Sequence, residues 1–133
     1  MATSDNVVRA GLTPKYKDVG TLIKMLTYRS ASASAQIMRG EPVAGSVNTK
    51  IYDPPIDEFT IWRTEMPVGS FESLSGVSGP GILICIEGSV DISFGSVTVT
   101  VYMGHIFFIK PNTLLVLRAQ KSKALIFMAF CSV

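Results

Sequence analysis

The chain has 133 residues, a length typical of one domain that buries a core without disulfides or a structural metal. Hydrophobic residues make up 47% of it and charged residues 17%, which is too apolar for a disordered chain and suits several buried strands. The 12 basic and 10 acidic residues are scattered and sum to a net charge of +2, so no polybasic surface for nucleic acid or anionic lipid is expected.

The N-terminal segment, residues 1–17, places two cations six positions apart, Arg9 and Lys15. Gly11 and Pro14 between them allow the chain to bend so that both side chains reach one anion, an arrangement that suits phosphate. Two basic residues near a terminus are also typical of a solvated surface, so the spacing alone leaves both interpretations open.

The start of the chain carries no basic-then-apolar signal region. No apolar run approaches the ~18 residues that are needed to span a bilayer. The sequence therefore predicts a soluble, cytoplasmic protein.

One short amphipathic helix is predicted over residues 18–28. Asp18 can cap its N-terminus, and the apolar residues Val19, Leu22, Ile23 and Leu26 recur at spacings of three and four. The next stretch, residues 29–50, is rich in Ser, Ala and Gly and has no sustained period of 2 or 3.6. It predicts a long surface loop.

From residue 51 to residue 133 the pattern is strand-like and predicts one β-barrel domain. Short strands separated by turns about every 8 to 12 residues are typical of a sandwich or barrel. A turn is expected at Glu87-Gly88-Ser89, between two separate strands. The predicted strands lie near residues 59–65, 70–75, 81–87, 89–94, 96–102, 105–109, 113–119 and 124–131.

Two stretches resemble the half-motifs of a cupin-type jelly roll: ILICIEGSVDISF, which begins at Ile82, and MGHIFFIKPNTLLVL, which begins at Met103. Metal-binding cupins carry two histidines and a glutamate in the first half-motif and another histidine in the second. Here those histidines are absent, and residues 82–86 are apolar. The resemblance implies a mostly β fold, a cupin-type jelly-roll barrel or sandwich preceded by one short α-helix, and the missing histidines predict that no metal lies inside it.

The single histidine, His105, cannot build a zinc site or a nucleophile triad alone, since catalytic zinc needs about three converging protein ligands. It follows Gly104 at a predicted strand start, which fits a turn or edge residue. A pH switch or a ligand is the alternative. Cys85 and Cys131 lie in apolar runs and are predicted to be free core thiols.

Two further motifs together resemble the C-terminal part of the type I phosphomannose isomerases. They are SDNVVRAGLTPKYKDVGTLIKMLTY, which begins at Ser4, and IYDPPIDEFTI, which begins at Ile51. Members of that family are zinc enzymes that interconvert mannose 6-phosphate and fructose 6-phosphate, and so supply mannose donors such as GDP-mannose for glycosylation. The resemblance covers most of this chain but only the final third of the family's length.

The resemblance implies roles for two residues. Arg9 matches a catalytic arginine that reaches into the pocket, where it would stabilise charge on substrate oxygens as a proton moves between C1 and C2 of the open-chain sugar. Lys15 matches a lysine at the pocket rim, which would bind the phosphate or the sugar oxygens. Asp5, Asn6 and Thr13 are interpreted as residues that shape the turn presenting Arg9.

The family's zinc ligands, a Gln, two His and a Glu, correspond to sequence that would precede Ser4. Zinc and the sugar phosphate are therefore expected to bind in the complete enzyme, with the missing N-terminal catalytic domain as the partner and residues 1–17 at the seam with it. On this interpretation the chain is a fragment that folds but is catalytically silent.

The alternative is a free-standing, metal-free cupin-like domain with a binding or regulatory role. A third possibility is that the chain completes an active site in trans with a separate N-terminal chain. Neither nucleic acid nor a membrane is expected as a partner.

Overall fold

The computed structural model describes residues 8–9 and 11–131 and divides the chain into two compact units, the first ending at Gln36 and the second beginning at Ile37. The first unit holds the helices α1 (Val19–Met25) and α2 (Ala33–Gln36). None of the side chains of these helices is buried. Neither helix is long or apolar enough to cross a membrane.

Helix α1 begins where its capping signal predicts. Asp18 accepts one hydrogen bond from the Thr21 amide at 2.9 Å and another from the Thr21 hydroxyl at 2.7 Å. The helix ends three residues before the predicted limit, because Leu26 is already extended and Tyr28 has a φ of 52°. The cap therefore sets the start of the helix, whereas the backbone of residues 26–28 sets its end.

Acidification is expected to unwind α1. The two hydrogen bonds from Thr21 hold the pKa of Asp18 below its usual range. A carboxylate whose pKa is lower in the folded helix than in the unfolded chain stabilises the helix. That stabilisation is complete above the unfolded pKa of about 3.9 and is lost as the pH falls through the lower pKa of the folded state. Carbon-13 chemical shifts of residues 19–22 should lose their helical offset on acidification.

The matched variant is Asp18→Asn, whose amide oxygen still accepts from the Thr21 amide but does not titrate. Its helical shifts should be independent of pH, and those of Asp18→Ala should be weak at every pH. Identical acid titrations of the native chain and Asp18→Asn would contradict the capping role.

The stretch predicted as a loop, residues 29–50, holds two short elements, α2 and β1, and the start of a third, β2. Ser32 accepts a hydrogen bond from the Ala35 amide at 3.3 Å and caps α2. Strand β1 (Glu41–Pro42) then pairs antiparallel with β2 (Thr49–Tyr52). These elements are too short to give a sequence period, so composition alone could not reveal them.

The second unit is a curled antiparallel sheet, which confirms the mostly β prediction. The strands that follow β2 are β3 (Thr60–Met66), β4 (Phe71–Leu74), β5 (Gly81–Phe94), β6 (Val97–Tyr102), β7 (Ile106–Ile109), β8 (Leu115–Arg118) and β9 (Ala124–Phe130). The strands β1-β2-β3-β9-β5-β7 form what we call the long sheet, and β4-β8-β5-β6 form the short sheet. Strand β5 belongs to both sheets.

The predicted turn at Glu87-Gly88-Ser89 is wrong, because β5 continues through it. A β-bulge between Cys85 and Glu87 and a φ of 73° at Gly88 bend the strand from the long sheet into the short sheet. By contrast, the predicted turn after Phe94 is confirmed: Phe94 pairs with Val97, and Gly95 has a φ of 57°.

The core follows the strand alternation. In β3 every second side chain, from Thr60 to Met66, is buried, and Trp62 packs edge-on against Phe130 with ring centroids 4.9 Å apart. Further core side chains come from β5, β8 and β9: Leu83, Cys85, Val90, Ile92, Leu115, Leu117, Ile126 and Met128. The interior of the barrel is therefore filled by side chains.

Two polar contacts connect β2, and the residue just before it, to the rest of the barrel. Glu72 is only 3% exposed, and its carboxylate accepts a hydrogen bond from the Asn48 amide at 2.9 Å. The hydroxyls of Thr49 and Thr64 lie 2.9 Å apart and share a hydrogen bond. Each buried oxygen named here thus has a partner, as burial requires.

Candidate functional site

The segment with the two predicted site cations lies ahead of α1 in the first unit. Arg9 and Lys15 are both exposed. The Lys15 amide donates to the Thr13 hydroxyl oxygen at 3.2 Å, a contact that bends the chain locally. Asp5 and Asn6 lie outside the described residues. The exposed side chains are available to a ligand, and their assigned roles stay predictions.

His105 lies in the turn between β6 and β7. Its ring nitrogen Nδ1 accepts a hydrogen bond from the Tyr102 amide at 3.5 Å, and its ring stands edge-on to that of Tyr102 at 5.6 Å. The Cys85 amide donates to the His105 carbonyl oxygen at 3.1 Å. These contacts hold the His105 ring against Tyr102, and the backbone hydrogen bond connects the turn to the bulge of β5. His105 therefore has a structural role in this turn.

The described residues do not fit a zinc ion. Within residues 8–9 and 11–131, no group of three or more His, Cys, Asp or Glu side chains lies close enough together to hold a metal. The half-motif position Cys85 is fully buried, and burial raises the pKa of its thiol, which disfavours the thiolate that binds metals. We assign no reaction step to a metal on this chain.

Sequence reasoning missed a hollow of about 420 Å³ on the long sheet. Strand pairing places Glu65 and Glu87 on either side of Leu125. Lys123 forms an ion pair with Glu87 at 2.7 Å, and Arg63 forms another with Glu65. No local sequence signal marks this group, because its three strands are far apart in the chain.

Comparison with known proteins identifies the family that the chain resembles. The family model for the C-terminal domain of type I phosphomannose isomerase matches residues 50–97. Mannose-6-phosphate isomerase of Schizosaccharomyces pombe is 40% identical over 138 residues, which covers 100% of this chain and 33% of that protein. The Cryptococcus neoformans mannose-6-phosphate isomerase is 44% identical over 110 residues, covering 82% and 25%.

A solved structure supports the fold. The apo form of mannose 6-phosphate isomerase from Salmonella typhimurium matches with a TM-score of 0.76 and 22% identity, over 100% of this chain and 32% of that one. The chain thus has the cupin-type β fold of such isomerases. It belongs to the type I phosphomannose isomerase family and corresponds to its C-terminal domain. It spans about a third of the length of these relatives.

Proposed function

We propose that this chain acts as the C-terminal part of a mannose-6-phosphate isomerase, which interconverts mannose 6-phosphate and fructose 6-phosphate. The observation that carries the proposal is the match of the whole chain, N-terminal segment included, to the Schizosaccharomyces pombe enzyme at 40% identity. The chain spans a third of that enzyme, so the proposal assigns the zinc ligands and the rest of the catalytic domain to the remaining two thirds.

Arg9 supplies positive charge to the reacting end of the sugar in this proposal. Moving a proton between C1 and C2 leaves negative charge on the substrate oxygens, and a guanidinium held beside them stabilises that charge more than it stabilises the neutral sugar. Lys15 is a point charge on a flexible stem, which suits the binding of the phosphate or the sugar oxygens. Both residues are exposed, as ligand binding requires.

One observation favours this proposal over a free-standing binding domain, and a second bears on location. The apolar side chains of Val19 and Ile23 in α1 and of Leu26 just after it are all exposed, whereas an independent domain would cover them. The two cysteines are free thiols. A cytoplasmic location, where thiols stay reduced, is therefore part of the proposal.

The test is a chimera in which this chain replaces the matching third of the Schizosaccharomyces pombe isomerase. We expect the chimera to isomerise mannose 6-phosphate and the isolated chain to be inactive with zinc supplied, because its described residues offer no metal site. A folded but inactive chimera would contradict the proposal. Turnover by the isolated chain would equally contradict it, since the chain would then hold a complete active site.

A further inference from the structure

The outer face of the long sheet is apolar across four neighbouring strands. Directly paired residues share a face, so two rows run side by side over β7, β5, β9 and β3. The first row is Phe108, Ile82, Ala129 and Ile61, and the second is Ile106, Ile84, Phe127 and Arg63. Seven of these eight residues are apolar. We call these seven the apolar face.

The apolar face is open to solvent where β5 meets β7. Ile82 is 56% exposed, Ile106 63% and Phe108 67%. Strands lie about 4.8 Å apart, so four strands span about 14 Å between the outermost strand axes. Adjacent large side chains left open over such a width are typical of an interaction surface, whereas single exposed apolar residues are not.

A hollow lies at each end of the apolar face. At one end Ile82, Phe108 and Ala129 contribute to a hollow of about 250 Å³. At the other end is the hollow of about 420 Å³ over Leu125, bordered by the Glu87–Lys123 and Arg63–Glu65 ion pairs. An apolar centre with hollows for side chains and a charged border is the usual anatomy of a permanent protein interface.

We propose that the apolar face docks the N-terminal two thirds of a mannose-6-phosphate isomerase. This inference rests on the proposed function. The relatives continue for about twice the length of this chain beyond the part that it matches, so a partner of sufficient size exists. The charged border is composed of pairs of opposite sign, so a partner needs no net charge to fit. In this proposal the partner belongs to the same polypeptide, so the interface is permanent. Permanent interfaces are more apolar than transient ones, which matches the apolar centre of this face.

The test measures whether the apolar face is covered. Ile106→Cys introduces a thiol on this face, and Val97→Cys introduces one at a position of similar exposure on the short sheet, both in a Cys131→Ser background. Alkylation at each position is followed by mass spectrometry in the isolated chain and in the chimera. We expect labelling at position 106 to slow at least tenfold in the chimera, and labelling at position 97 to stay the same.

Equal labelling at position 106 in the chimera and in the isolated chain would overturn the inference. If such a chimera is active, the proposed function stands without this docking surface. If position 106 is protected in an inactive chimera, the docking holds and the proposed function fails. Protection already present in the isolated chain would assign the face to a second copy if the chain sediments as a dimer, or to the first unit if it is monomeric. Either result overturns the proposed partner.

Discussion

Replacing Arg9 by Ala in the active chimera is expected to lower kcat by about 10²- to 10³-fold, the loss that follows when one donor to a developing oxyanion is removed. The reason is that the guanidinium interacts more strongly with the charged transition state than with the bound sugar. Arg9→Lys should recover part of the rate, because it restores charge without the planar geometry. Steady-state kinetics with mannose 6-phosphate give both values.

Three comparisons make the Arg9 prediction specific. Lys15→Ala should mainly raise KM, since the binding of phosphate or sugar oxygens is shared by the ground state and the transition state. Lys17→Ala removes an exposed cation of the same segment that has no assigned role, and it should change neither constant. The thermal midpoint should be the same for all variants. An Arg9→Ala enzyme with the native kcat would rule out the catalytic assignment.

Replacing Gly88 by Ala is expected to destabilise the barrel by about 2 to 5 kcal/mol. The left-handed backbone at Gly88 costs a residue with a Cβ about 1 to 2 kcal/mol. The added Cβ would also collide with the Lys123 carbonyl oxygen, and overpacking of this kind costs about 1 to 3 kcal/mol more. Urea unfolding of the chain, followed by the fluorescence of Trp62, measures the loss.

Gly95→Ala is the matched control for Gly88→Ala. Gly95 also has a positive φ, but beyond its two chain neighbours no residue has an atom within 4 Å of the position that its Cβ would take. It should therefore show the backbone cost alone, about 1 to 2 kcal/mol. Equal unfolding midpoints for the two variants would mean that the turn before β9 moves away freely, and that Gly88 is not required for the close approach of β5 to Lys123.

Features determined by neighbouring residues were predictable from the sequence. Asp18 caps α1 through a residue three positions away, and the hairpin at Gly95 is closed by residues that flank it directly. The spacing of Arg9 and Lys15 alone was also typical of a solvated surface. They became site candidates because a long motif around them resembled a known family.

Features that depend on strand pairing were not predictable. The sequence around Gly88 is typical of a turn between two strands. Because β5 pairs with β9 on both sides of the bulge, the chain there bends within one strand instead. Glu72 looks like a solvated residue in the sequence, yet its side chain is buried and its carboxylate accepts a hydrogen bond from the backbone amide of Asn48, 24 residues earlier. The grouping of Glu65, Leu125 and Glu87 likewise exists only once three distant strands are in register.

The position of β9 in the long sheet has a consequence for how the barrel is made. This strand, the last in the part of the chain that the structure describes, lies between β3 and β5 and pairs with both along its length. During synthesis the ribosome must release residues 124–130 before the two halves of that sheet can join. Until then β3 and β5 present open backbone edges, so the nascent chain is expected to need protection from aggregation and to complete its fold late.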